Sequence, residues 1–156
     1  MTRRGLIAIV VAAVLVAAVV AAVLVRRHHA DDPYAAYCAT VDDHRGLIAS
    51  ATEKGATTGL ISALPSFEAL RDKAPSDIKD DWDTVIAAIT DLVDTLHQVG
   101  VDPASYDRSH PPANLSKHDQ GLIDAAAERL GSDTTRQALS AVDQEARDVC
   151  HSPLML

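Results

Sequence analysis

Basic side chains are scarce in this sequence. Fourteen Lys and Arg stand against 22 Asp and Glu. Four of the fourteen, Arg3, Arg4, Arg26 and Arg27, flank one apolar run, and every acidic residue lies after residue 30. The chain beyond that point carries a formal charge of −12. Nucleic-acid binding needs a basic face, so that class is excluded. An acidic domain also does not lie flat on anionic lipid. A solvated surface accounts for the acidity.

Aromatic residues are few: Tyr34, Tyr37, Phe67, Trp82 and Tyr106. Runs of alternating β-branched residues are few as well, whereas alanine is abundant, and this composition favours helices. Motifs of catalysis are missing. There is no His-Glu-x-x-His, Gly-x-Ser-x-Gly, Walker loop or Gly-x-Gly-x-x-Gly. With only two cysteines there is no Cys-x-x-Cys redox pair. The seven histidines are scattered, and Asp42-Asp43-His44 and Lys117-His118-Asp119 hold neighbours that point apart on a helix. No carboxylate pair stands out as an acid/base couple. A non-enzymatic protein without a cofactor is expected.

What is present begins with Leu6–Val25, twenty consecutive apolar residues. At about 1.5 Å per residue they match a bilayer's hydrocarbon thickness of about 30 Å. The run is longer than the apolar core of a cleaved signal peptide. We therefore expect a cytoplasmic stub over 1–5, a transmembrane signal anchor over 6–25 and a linker over 26–32. The alternative is secretion after cleavage. The flanking arginines are nearly balanced and do not orient the span. A short basic N-terminus before an apolar run is the layout of an export signal, which puts residues from about 30 onward outside the cytoplasm. In the linker, His28, His29, Asp31 and Asp32 are metal-ligating types, but adjacent residues in a flexible segment do not make a fixed site.

Residues 33–156 read as a helical domain. Asp32-Pro33 is a helix start, and Tyr34, Tyr37, Cys38, Val41, His44 and Ile48 recur at helical steps to about residue 54. Gly46 weakens this helix and Gly55 ends it. His44 falls on the apolar stripe, as expected of a half-buried, hydrogen-bonded histidine. Residues 57–74 carry Leu60, Ile61, Leu64, Phe67 and Leu70 inward, with Pro65 breaking or kinking the segment. The next helix is the clearest. Ile78, Trp82, Val85, Ile89, Leu92, Leu96 and Val99 alternate at steps of four and three, Ser76 or Asp77 caps the start, and Gly100 closes the end. Trp82, Ile89, Leu92 and Leu96 are its expected core anchors. Residues 101–115 form a long connection in which Tyr106, Arg108 and His110 are the candidate recognition residues; a spacer is the competing reading. Ser116-x-x-Asp119 resembles a capping box ahead of Leu122, Ile123, Ala126 and Leu130. Ser132 or Asp133 caps a last helix facing inward through Leu139, Val142, Ala146, Val149 and Cys150. The apolar tail from Pro153 packs back on the bundle or serves as a docking tail.

Cys38 and Cys150 lie near the two ends of this domain. In an exported protein they are most simply a disulfide. Closing about 112 residues would constrain the unfolded chain by about 4–5 kcal/mol. It would also set the first and last helices side by side.

The layout resembles a group of small actinobacterial envelope proteins of unknown function, on three short motifs. These are Tyr37-Cys38, Ala74-Pro75 with Ile78 and Asp81-Trp82, and Asp148-Val149-Cys150. The resemblance covers most of 34–151 and implies an envelope location and the disulfide, but no activity. The expectation is an all-α protein: a transmembrane helix in the bilayer, then an extracytoplasmic four- to five-helix bundle with one disulfide. That domain would bind an unknown envelope protein. A small-ligand or metal-binding sensor or carrier is the alternative role.

Overall fold

An alternating four-three spacing of large apolar residues puts one continuous stripe on a helix, and the longest such stripe becomes the axis of this fold. In a computed structural model describing residues 32–154, five α-helices and no strands form among the described residues. They are α1 (Ala35–Thr52), α2 (Ala56–Lys73), α3 (Lys79–Gln98), α4 (Lys117–Leu130) and α5 (Asp133–Cys150). The stripe on α3 is fully used: Trp82, Val85, Ile89, Leu92 and Leu96 are buried. Helices α2, α4 and α5 all approach α3 closely, while α4 and α5 touch each other less. The all-α expectation therefore holds for the described residues. None of their helices is long and apolar enough to cross a membrane. The expected span over 6–25, and all of the linker except Asp32, lie outside the described residues.

Small residues explain which helices come close. The inward face of α5 is Thr135, Ala138, Val142 and Ala146, and that of α4 includes Ala126 and Ala127. Short side chains let their backbones approach α3. Helix α1 instead points Tyr37, Val41 and Ile48 inward, and its backbone makes few close approaches to any other helix. So α1 and α5 are joined at one place rather than lying side by side along their length. Cys38 and Cys150 form the expected disulfide, with Cα atoms 5.1 Å apart and 112 residues of separation.

Helix ends follow the sequence in most places. Ser116 Oγ accepts the Asp119 N–H at 3.1 Å and starts α4, and Ser132 Oγ accepts the Thr135 N–H at 3.2 Å and starts α5. Gly100, at φ 74°, ends α3. Its N–H donates to the His97 carbonyl, and Val101 N–H reaches the Leu96 carbonyl at 2.8 Å. This paired pattern is a Schellman motif. At the close of α5 the left-handed residue is His151, at φ 55°. Asp32 Oδ1 accepts the Tyr34 N–H at 2.9 Å in a turn ahead of α1.

Three local expectations are corrected. Neither Ser76 nor Asp77 caps α3; a turn through Pro75–Ile78 leads in, and the residue before the helix, Ile78, makes no side-chain cap. Pro65 does not split α2, which runs unbroken from Ala56 to Lys73 with Pro65 exposed. A proline ring on the solvent side spares the packed face, so only one backbone hydrogen bond is lost. The buried line of α2 also differs. It runs through Gly59, Ala63, Ser66, Phe67 and Leu70, while Leu60, Ile61 and Leu64 are half-buried. Gly59 sets this rotation, because a Cβ there would sit 2.8 Å from both the Ala51 carbonyl oxygen and Thr52 Cα. The α1–α2 hairpin closes only around a residue without a side chain.

All six arginines of the domain sit on an aspartate: Arg45 on Asp42, Arg71 on Asp83, Arg108 on Asp124, Arg129 on Asp91, Arg136 on Asp133 and Arg147 on Asp143. Two pairs join helices, Arg71–Asp83 across α2 and α3 and Arg129–Asp91 across α4 and α3, each at 2.7 Å. Solvent screens exposed pairs of this kind, so they add little to stability.

Candidate functional site

Several places on the domain combine polar chemistry with concavity or burial. The first surrounds the disulfide. Tyr37, one residue before Cys38, is fully buried. Burial pushes its phenol up to about 12, opposed by the nearby Trp82 indole and reinforced by Glu145 and Asp143. The Tyr37 hydroxyl and Trp82 Nε1 are both buried, and neither closes a hydrogen bond of good geometry. Trp82 packs on Phe67, with ring centroids 5.7 Å apart. The expected core anchors Trp82, Ile89, Leu92 and Leu96 are all fully buried. His44, two turns along from Tyr37, is half-buried, but its Nδ1 has no partner. The hydrogen-bonded histidine expected there is not found.

This end also holds carboxylates that sequence reading passed over. Burial raises the Glu145 carboxyl above its ordinary range, with Asp77 and Asp148 adding repulsion. The spacing of Glu145 and Asp148, three residues apart on a helix, was a signal available in the sequence. The approach of Asp77, from the turn before α3, was not. Among the described residues no group of three or more His, Cys, Asp and Glu is placed to hold a metal ion. Of the linker residues weighed as ligands, His28, His29 and Asp31 lie outside the described residues.

The second place is the 101–115 connection. Tyr106 is buried, not displayed, and its carbonyl accepts the Thr58 hydroxyl at 3.0 Å. Burial raises its phenol above the ordinary range. Asp102 Oδ1 accepts the Ala104 N–H at 3.0 Å, and Asp107 Oδ1 accepts the Ser109 N–H at 2.8 Å, so the loop braces itself with side-chain turns. His110 Nδ1 lies 2.8 Å from Asp107 Oδ2, and that contact, with the Ser109 N–H, holds the Asp107 carboxyl below its usual range. Arg108 and His110 are exposed. A cleft of about 410 Å³ opens between residues 104–109 and the α1–α2 turn at Lys54–Thr58. The structure thus separates the three candidate residues. Tyr106 is a packing anchor, while Arg108 and His110 face solvent.

The third place carried no sequence signal. A pocket of about 260 Å³ opens where α2, α3, α4 and α5 meet, floored by Leu60, Val85, Ile89, Leu130 and Leu139. Its charged lining residues are Arg108, from the long loop, and Arg136, from α5; no acidic residue lines it. Arg136 bonds the Gly131 carbonyl and Asp133, and Arg108 Nη2 reaches Asp124 at 3.5 Å.

No protein-family model, curated protein or solved structure matches this chain. The buried groups around the disulfide serve packing, since their polar atoms are enclosed rather than aimed at a cleft. The apolar pocket and the loop cleft are two of the concave surfaces that can receive a ligand or partner.

Proposed function

We propose that the chain is a single-pass membrane protein that displays its helical domain outside the cytoplasm and works by binding rather than by catalysis. The observation that carries this reading is the Cys38–Cys150 bridge. Disulfides persist in oxidising compartments and are rare in the cytosol. The uncharged Leu6–Val25 run supplies a bilayer anchor of the right length. A binding role within the cell envelope, with another envelope protein as partner, agrees with a domain whose concave surfaces lack a recognisable reacting constellation.

The resemblance to small actinobacterial envelope proteins belongs to this reading. Its three motifs, distant in sequence, supply interlocking parts of one region. Tyr37 lies by Trp82, Cys38 is bonded to Cys150, and Ala74 and Ile78 are buried in the same core. Shared short motifs that build one packed region support shared architecture.

The test is fractionation of cells expressing the full chain, followed by protease treatment of intact spheroplasts and thiol mapping without reductant. The expected result is a membrane-bound protein whose domain is digested from outside and whose cysteines resist alkylation. A soluble cytoplasmic protein with free thiols would overturn the proposal. N-terminal sequencing separates an anchored chain from one secreted after cleavage. Crosslinking in the native host, followed by capture of the full chain, identifies the partner.

A further inference from the structure

The pocket at the junction of α2, α3, α4 and α5 differs in charge from the rest of the domain. Acidic residues outnumber basic ones by 22 to ten beyond residue 30. Yet the charged residues lining this apolar pocket are two arginines and no carboxylate. Both arginine side chains are more than half exposed, at 53% for Arg108 and 65% for Arg136, so they stand at the rim of the aliphatic floor.

Arg136 is held in place. It bonds the Gly131 carbonyl at the end of α4 and Asp133 in the first turn of α5. A guanidinium carries five N–H donors in a rigid fork, so two such bonds orient it and leave donors for a second anion. Asp124 reaches Arg108 only at 3.5 Å, which leaves that fork lightly engaged. Ligand pockets combine an apolar lining with a few polar groups that fix orientation. A volume of about 260 Å³ lies below the range of about 300–1,000 Å³ for drug-sized ligands. A medium-length aliphatic chain suits that floor, and a carboxylate suits that rim.

We propose that this pocket binds a medium-chain aliphatic carboxylate, with its chain on Leu60, Val85, Ile89, Leu130 and Leu139 and its carboxylate between Arg108 and Arg136. This goes beyond the envelope-display reading and does not depend on it. A failure here leaves topology and disulfide untouched, and a cytoplasmic location would leave the pocket in place.

The test uses the full chain in lipid nanodiscs, methyl-labelled for NMR, titrated with octanoate and with octanol. Octanoate is expected to shift the methyl signals of the five floor residues saturably. Octanol is expected to bind about tenfold more weakly, because it lacks the charge that strengthens hydrogen bonds to arginine. The double variant Arg108→Gln/Arg136→Gln should remove that difference while octanol binding stays. Leu139→Trp, which fills the half-buried edge of the pocket, should remove both. If that variant fails to fold, the charge-removing pair still decides the matter. No saturable shift with octanoate, equal binding of octanol by the unaltered protein, or unchanged octanoate preference in the double variant would overturn the proposal.

Discussion

Breaking the Cys38–Cys150 bridge, by reduction or by Cys38→Ser with Cys150→Ser, should loosen α1 before it loosens the rest. The bridge closes a loop of 112 residues. In the chain-entropy treatment that constraint removes about 16 cal/mol/K from the unfolded ensemble, or about 4.8 kcal/mol at 25 °C. Unfolding entropy near the midpoint is about 2.1 cal/mol/K per residue, so about 123 ordered residues lose about 18 °C of Tm. The location of the effect follows from packing. Helix α1 has few close backbone approaches, whereas α2, α4 and α5 are set directly on α3. Without the bridge α1 relies on Tyr37, Val41, Ile48 and Ala51 alone for fully buried contact. Hydrogen exchange on the bridged and unbridged forms checks this. Amides of 35–52 should lose protection first in the unbridged form, while those of 79–98 remain the slowest. A Tm change below about 4 °C, or loss of protection spread evenly over the five helices, would refute the reasoning.

Further outcomes follow from single sites. Gly46→Ala should raise stability by about 0.5–1 kcal/mol, since a Cβ there meets nothing within 4 Å of a solvent-facing helix position. Gly59→Ala should lower it by about 1–3 kcal/mol through contact with the Ala51–Thr52 backbone, and denaturant midpoints compare the two. Tyr37→Phe should stabilise by about 1 kcal/mol, because it removes a buried hydroxyl that has no partner. The same phenol ties stability to alkaline pH. It releases its proton near 10 when unfolded and at about 12 when folded. The unfolded chain therefore binds fewer protons in that window, and stability falls by about 2 kcal/mol as pH rises from 10 to 12. Denaturant midpoints of the unaltered protein and of Tyr37→Phe across that window check it, with a smaller loss in the variant, where the Tyr106 phenol is still raised by burial. His151→Gly should stabilise by about 1 kcal/mol by relieving a left-handed non-glycine residue, read as a rise in Tm.

Periodicity disclosed most of this fold because most of it rests on one stripe. The four-three spacing from Ile78 to Leu96 identified α3, and Ser116, Ser132 and Gly100 marked ends by chemistry that acts within a few residues. The disulfide was legible because the chain has only two cysteines. Features set by distant partners were not legible. The face α2 buries depends on Gly59 fitting against Ala51, and the burial of Tyr106 on Thr58, 48 residues away. His44 shared a stripe with buried residues, but a stripe gives no hydrogen-bond partner. The arginine-rimmed pocket draws on four helices and a loop, so no window of sequence contains it.

The tail shows what the bridge does under load. Leu154 is buried and its N–H donates to Asp143 Oδ1 at 2.9 Å, while Ser152 Oγ reaches Asp42 on α1 at 3.4 Å. Covalently the domain is a closed ring, 38–150, with one strand entering ahead of Cys38 and another leaving after Cys150. Tension applied between those two strands passes from Cys38 to Cys150 through a pair of sulfur atoms and loads only the first turn of α1, Ala35–Tyr37, ahead of the bridge. A protease cut in the 101–115 loop likewise yields two pieces that stay one molecule. A pull on the tail would first break the Leu154 bond to Asp143 and leave the helices between Cys38 and Cys150 closed in the ring.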